Sequence, residues 1–425
     1  MDAYGNFSFL NTNSVILQVA SVKKILLFIT KHHIIVTMAF RRHICSLRNE
    51  LLATAATFAL IALIVLIAPR ITEKYRKHSQ FTQQFVLGTV IAVLENNIEE
   101  DAFVDGRYVG NQRIRVRINE GEFAGREFDS TNTLSALRSA VAYEGLAAVF
   151  AIRMDKDGKP VVWLYNYNRT PYVYLLIALL ALLVAAIGRF KGLRSLLALS
   201  LTGTVLLYIV VPCMWSPHPA LVAMLSLAVS CIASFILVAG FSKKAFCAGC
   251  GTLCGIFLAG FLSFTFGRIM NLSGVDMEKG ETLLYLAQSR NFKLTSLLFV
   301  SILIACLGAT MDVAISIASS AEQLHIADST MSVKVFFASV LTVGKDIIGT
   351  MTNTLILAFC GSSLPLAMMI WGYHMDYMQF INIPLIVINI LQALASSIGM
   401  VASIFFTAIF SVLVFKRALL VQAAR

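Results

Sequence analysis

The sequence predicts a membrane protein built as an all-α bundle of about eight transmembrane helices, with one small β-barrel or β-sandwich domain inserted into it. Of the 425 residues, 58% are hydrophobic and only 13% are charged, whereas a soluble protein carries about 25% charged residues. Apolar runs long enough to cross a bilayer, about 20 residues each, recur along the chain. The stretch 70–170 instead alternates apolar and polar residues, as β-strands do.

The apolar runs divide the chain into four parts. A tail (1–50) precedes the first span (51–69), the β-rich domain covers 70–170, and a polytopic membrane domain covers 171–425. We place the eight spans at 51–69, 172–188, 195–212, 219–240, 246–266, 294–317, 340–361 and 396–415. The stretch 362–395 is apolar at first but then polar, and we interpret it as re-entrant or interfacial.

Lysine and arginine set the orientation, because short cytoplasmic loops are enriched in both. Four basic groups fall on one side when the spans alternate, and the opposite loop 213–218 has none. The sequence therefore predicts a membrane protein with both termini cytoplasmic and 70–170 outside. Four basic residues in the external loop 267–293 count against this orientation. The four cytoplasmic groups are Lys23, Lys24, Lys31, Arg41, Arg42 and Arg48; Arg189, Lys191 and Arg194; Lys243 and Lys244; and Lys416, Arg417 and Arg425.

Two features of the N-terminal half complete this outline. Residues 1–37 precede a second plausible start, Met38, which is followed by a basic flank and the first span. One hypothesis is that 1–37 is an extension beyond the natural start; the alternative is a short interfacial helix around 24–37. The net charge of +11 is accounted for by the cytoplasmic loops, and no basic stripe interleaved with aromatics indicates a nucleic-acid partner.

The β-rich domain shows the period of two expected of strands. Residues 113–118 alternate arginine with an apolar residue, and we expect the arginines to form a solvated face. Phe85, Leu87, Thr89, Ile91 and Val93 are predicted to share one face of another strand. Residues 149–154 and 161–165, joined through Gly158, predict a hairpin. The domain has no cysteine, so it must fold without disulfides.

Two polar segments stand out in the membrane domain, where charged groups are costly and usually face the bundle interior or a water path. In 308–320, the residues Asp312, Ser316, Ser319 and Ser320 share one helix face. In 344–354, Asp346, Thr350 and Asn353 share another, beside Lys345.

The two segments lie at similar depth, since Asp312 and Asp346 are each roughly 8 Å from the predicted cytoplasmic end of their spans. Antiparallel neighbouring helices would bring them to one level, within reach of a Lys345–Asp312 pair. The functional hypothesis is a proton- or cation-coupling site formed by Asp312, Ser316, Ser319, Lys345, Asp346, Thr350 and Asn353. The structural hypothesis is an ion pair that fixes helix packing, with the hydroxyls bonded to backbone carbonyls one turn back.

No other motif predicts chemistry. Cys247, Cys250 and Cys254 lie on one helix face without a fourth ligand, which favours packing over a metal site. The sequence contains no phosphate-binding loop, dinucleotide loop, HExxH motif or nucleophile elbow. We therefore expect no enzyme activity, cofactor or metal. An intramembrane aspartyl dyad is disfavoured because Lys345 would neutralise it.

The stretches GATMDVAISIASS (308–320) and GKDIIGTMTNTLILAF (344–359) resemble signature segments of the YibE/F-like family of bacterial multipass membrane proteins. The resemblance covers roughly 50–420. It implies a location in the bacterial cytoplasmic membrane and the same layout: a cytoplasmic N-terminus, one span, an extracytoplasmic β-rich domain and a helical bundle. It assigns no catalytic residues.

Two functions fit these features. The first is a secondary transporter, exporter or permease subunit that uses the polar Asp/Lys/Asn residues for coupling. The second is a non-catalytic scaffold or assembly protein whose external domain docks an envelope partner through 70–170. We expect the protein to be embedded in the lipid bilayer and to have no nucleic-acid partner. Both functions are compatible with an oligomer of this chain.

Overall fold

The computed structural model describes residues 54–55, 57–67, 70, 83–135, 139–155, 157–280, 282–284 and 294–416. The predicted tail 1–50, including the start at Met38, lies outside these residues. The chain divides into two units, Arg70–Leu193 and a helical unit made of Met1–Pro69 with Arg194–Arg425.

The first unit contains a five-stranded antiparallel sheet in the order β3-β2-β1-β4-β5. Its two edge strands come together where the Ser130 hydroxyl donates a 2.6 Å hydrogen bond to the Val162 carbonyl. The predicted barrel or sandwich is therefore one sheet curled into a half-barrel. The strands are β1 Gln84–Glu100, β2 Tyr108–Ile118, β3 Glu127–Leu134, β4 Ala147–Met154 and β5 Pro160–Tyr167.

The alternation predicted for β2 is confirmed, because Ile114, Val116 and Ile118 are fully buried and the arginines between them are exposed. These three residues pack with Phe150 of β4 in one apolar core. The predicted hairpin is also confirmed as β4 and β5, and Gly158 takes a positive φ of 73° in its turn.

Phe85, Leu87 and Thr89 share one face of β1 as predicted, and this face lies away from the core. Val86, Gly88 and Val90 point to the core instead. Irregularities in the β1–β2 pairing between Val90 and Ala92, and again between Val93 and Glu95, then change which side chains face inward. Both faces of this strand carry apolar residues, so its period could not fix the inner one.

The helices are long and mostly apolar. Among the residues described, six are long and apolar enough to cross a membrane: α2, together with its continuation to Cys213, and α3, α4, α5, α6 and α9. The bounds are α1 Thr57–Ile67, α2 Thr170–Val205, α3 Pro219–Ala239, α4 Lys243–Ile269, α5 Leu294–Ala327, α6 Val333–Ser362, α7 Leu364–Gly372, α8 Tyr377–Ile381 and α9 Pro384–Phe415.

These bounds revise several predicted spans. The spans 172–188 and 195–212 both lie in α2 and its continuation, and α2 consists of two helices that meet at a kink at Arg189, where φ is 48° and ψ is −133°. The first span corresponds to the short α1, with flanks outside the described residues, so the count of eight stays a prediction. The last span begins at Pro384 instead of 396, which leaves only α7 and α8 in the stretch interpreted as re-entrant or interfacial.

The core of the helical unit forms where α9 packs along α4 and α5. Gly255 of α4 and Gly399 of α9 face each other so closely that a methyl group on Gly255 would lie 2.6 Å from the Gly399 carbonyl oxygen. Such small residues allow helix backbones to approach in membranes, where dispersion forces and not hydrophobicity drive association.

Candidate functional site

Asp312 lies in the middle of α5. The helix runs from Leu294 to Ala327, ten residues beyond the predicted end of the span at 317. The helix therefore continues past the predicted end of the span, and the depth of Asp312 in the membrane stays a prediction. A carboxylate this far along a membrane-spanning helix needs a polar or hydrated surrounding, because hydrocarbon solvates charge poorly.

Asp312 is exposed and lies on the wall of an open cavity of about 450 Å³ in the helical unit, between α3, α5 and the segment of α2 from Ser195 onward. Its polar lining consists of Ser195, Thr202, Ser234 and Asp312. The rest of the wall is apolar, contributed by side chains such as Phe235 and Ile304. A mostly apolar cavity with a few convergent polar groups is the usual form of a small-ligand site.

The hydroxyl groups in this wall are linked. The Thr202 hydroxyl donates to the Ala198 carbonyl at 3.0 Å and lies 3.3 Å from the Ser234 hydroxyl. The Ser230 hydroxyl donates to Thr202 at 3.3 Å. These hydrogen bonds fix the positions of the Thr202 and Ser234 hydroxyl oxygens on the part of the wall formed by α2 and α3.

The Asp312 carboxylate has no partner among the described residues, neither an ion pair nor a hydrogen bond; only its backbone carbonyl accepts a bond, from Ser316. An acidic group without a cation or donor is expensive at membrane depth. It can be accommodated by binding a proton, a cation or water, and each of these is an exchangeable ligand.

The second predicted polar segment, 344–354 on α6, places Asp346 on the side of its helix opposite the packed side. Gly344 of α6 packs against Ile317 and Ile404, which fixes the inner side of that helix. At 100° per residue, Asp346 is about 200° from that side, and both Lys345 and Asp346 are exposed.

The two segments thus do not form one site in this structure. In the part of the chain that the structure describes, no ion pair joins Lys345 to either aspartate. The Lys345–Asp312 pair that the similar depths allowed is not among the ion pairs of the described residues. Any part that Lys345 and Asp346 take in coupling stays a prediction.

The hydroxyls of the two segments follow the structural hypothesis. Ser316 donates to the Asp312 carbonyl at 2.8 Å, and Thr350 donates to the Ile347 carbonyl at 3.1 Å. Such bonds to a carbonyl three or four residues back satisfy a hydroxyl within its own helix. Ser319 is half-buried and Asn353 is exposed.

Sequence reasoning missed the hydroxyl groups that complete the cavity. Thr202 and Ser234 lie in runs that looked like ordinary spans. A weak signal was present, since Ser195 and Thr202 are seven residues apart and Ser230 and Ser234 are four apart, spacings that place each pair on one helix face.

The charged face of the sheet unit is a ladder of ion pairs. Arg115 contacts Asp129 at 2.8 Å, Arg117 contacts Glu127 at 2.7 Å, and Arg113 contacts Glu95 at 3.4 Å. The hydrogen bond from Arg115 holds the pKa of Asp129 below its usual value. Each of these arginines is matched to a carboxylate, as the predicted solvated face requires.

Comparison with known proteins identifies one family. The model of a family described as YibE/F-like protein matches residues 176–417, more than half of the chain. The match includes the cavity and both polar segments, and it begins after the last strand of the sheet. No curated protein and no solved structure matches the chain.

Proposed function

Since this chain belongs to the YibE/F-like family and carries several membrane-spanning helices, we propose that it is a secondary transporter or permease subunit of the bacterial cytoplasmic membrane. Asp312 binds the proton or cation that crosses. The observation that carries this proposal is the Asp312 carboxylate, unpartnered among the described residues, on the wall of a cavity and midway along an apolar helix.

The cavity supplies what a coupling site needs. A carboxylate can load and release a proton or small cation. The hydroxyls of Thr202 and Ser234, on the helices opposite α5, offer neutral oxygen ligands. Intramembrane carboxylates that line cavities commonly mark ion paths. A purely structural carboxylate would be expected to hold a cation or donor, and Asp312 contacts neither among the described residues.

Contacts at one end of the helical unit support the proposed orientation. Lys244 at the start of α4 forms a 3.2 Å ion pair with Glu322 near the end of α5. Lys416, after α9, is buried and donates at 2.9 Å to the carbonyl of Ser329, in the α5–α6 loop. These contacts gather two of the basic groups assigned to the cytoplasm at one end of the helical unit, which is consistent with both groups lying in cytoplasmic loops.

We expect Asp312→Asn to abolish proton or cation flux while leaving the fold intact, because asparagine keeps the shape but cannot carry the charge. The measurement is flux into sealed proteoliposomes down an imposed gradient, with internal pH and a series of monovalent and divalent cations as readouts. Gel filtration in detergent checks that each variant is folded.

The matched control is Asp376→Asn, which makes the same chemical change at an exposed position just before α8, outside the cavity. It should transport like the wild type. Flux that survives in Asp312→Asn would remove Asp312 from the mechanism. A folded wild type that moves none of the ions would favour the scaffold function, with its partner sought through residues 70–170.

A further inference from the structure

The outward face of α6 is unusually polar for a membrane-spanning helix. Of the six long helices described, α6 is the least apolar and among the least buried. Its fully buried residues are Phe336, Val340 and Gly344, all on one side and all in its first half. The polar residues lie on the other side.

Helix geometry defines this outward face. Thr342, Asp346, Asn353 and Cys360 lie within about 20° of the direction opposite Gly344, at 100° per residue. All four are exposed, as are Lys345 and Gly349 beside them. We call these six residues the α6 stripe.

The α6 stripe is poorly suited to contact with lipid tails. No described residue pairs with the side chains of Lys345 or Asp346, and exposure of ionised groups to hydrocarbon is costly. Asn353 adds an amide with two donors and an acceptor that lipid tails cannot satisfy. A stripe of this kind needs a polar surface against it.

We propose that the α6 stripe is covered by the same stripe of a second copy of this chain, so that two α6 helices pair in parallel around a twofold axis normal to the membrane. Copies inserted in the same orientation can meet in this way, and a twofold interface brings equal positions together. The charges are self-complementary under this symmetry.

In the proposed dimer, adjacent residues of opposite charge form ion pairs between the two copies. Lys345 of each copy lies beside Asp346 of the other, which gives two equivalent ion pairs, as flanking charges do in parallel coiled coils. Asn353 meets its own counterpart and can exchange amide hydrogen bonds, a contact that favours helix association in membranes. Gly349 and Thr342 are small enough to let the backbones approach.

The decisive experiment reverses the charges. Two differently tagged copies of the full chain are co-expressed, and the fraction that co-purifies in mild detergent is measured. Lys345→Asp or Asp346→Lys alone places like charges together and should lower this fraction about tenfold. The double variant Lys345→Asp/Asp346→Lys restores both pairs and should recover the wild-type fraction.

Recovery in the double variant requires that the two residues pair with each other across copies. If the double variant pairs no better than the single ones, the proposal is overturned. A wild type that is monomeric in native membranes overturns it as well, since another part of the same chain must then cover the stripe.

A second measurement does not depend on charge variants. Cys360 is exposed on the stripe, seven residues after Asn353, so the two Cys360 thiols face each other near the axis. Mild oxidation of native membranes should produce a disulfide-linked dimer, and Cys360→Ser should abolish this crosslink while co-purification persists. A wild type that forms no crosslink, or a crosslink that survives in Cys360→Ser, contradicts the predicted register.

Discussion

Gly255→Ala should destabilise the helical unit by about 3 kcal/mol, even though alanine is the better helix former. The added methyl group would lie 2.6 Å from the Gly399 carbonyl oxygen and 2.8 Å from Cβ of Ser403. Both obstacles belong to α9, and one is backbone, so the overlap is relieved only if the two helices separate. The measurement is the thermal midpoint of the purified protein in detergent, followed by loss of the gel-filtration peak.

Gly267→Ala on the same helix is the matched control, because a methyl group there meets no atom within 4 Å. This variant should be neutral or stabilised by up to about 1 kcal/mol, the difference in helix propensity. Gly399→Ala should resemble Gly255→Ala, since its methyl would lie 2.8 Å from the Gly255 carbonyl oxygen. Equal midpoints for Gly255→Ala and Gly267→Ala would mean that α4 and α9 are not closely packed at this point.

The sequence was most informative where one face of an element differs strongly from the other. On β2 the arginines and the apolar residues alternate without exception, so the buried set Ile114, Val116 and Ile118 was predicted correctly. On β1 both faces carry apolar residues and the pairing has two irregularities. A period of two cannot locate a bulge, so the pattern could neither identify the inner face nor predict that Val93 packs against the core.

Membrane helices raise the same difficulty in a stronger form. A span that is apolar all round carries little information about which side faces protein and which faces lipid. The sequence could place Asp312 and Asp346 at similar levels, but the rotation of each helix depends on packing. Gly344 packs against Ile317 and Ile404. This contact fixes the rotation of α6, so that Asp346 faces away from the cavity that Asp312 lines.

The hydropathy pattern also could not predict where the helices end. The α5 helix continues to Ala327 through polar residues, among them Glu322, which pairs with Lys244 of α4. The α9 helix begins at Pro384, a residue suited to the first helical turn. Neither feature changes local hydropathy enough to mark a boundary.

Gln112→Ala should destabilise the sheet unit by about 3 kcal/mol, because one buried side chain there makes four hydrogen bonds. Gln112 is 1% exposed. Its amide nitrogen donates to Asn96 Oδ1 at 2.8 Å and to the Ala142 carbonyl at 3.0 Å. Its oxygen accepts from Asn132 Nδ2 at 3.1 Å and from the Ala142 amide at 2.8 Å.

The substitution leaves those partners without Gln112 in a site from which water is largely excluded, and this loss outweighs the lost packing. Hydrogen exchange of the full chain should therefore accelerate at the Ala142 amide and along β2 and β3. Arg113→Ala is the matched control on the neighbouring residue. Its ion pair with Glu95 is solvent-exposed, so we expect a change below about 1 kcal/mol. Equal exchange in the two variants would show that the Gln112 hydrogen bonds do not hold the residues around Ala142 against the sheet.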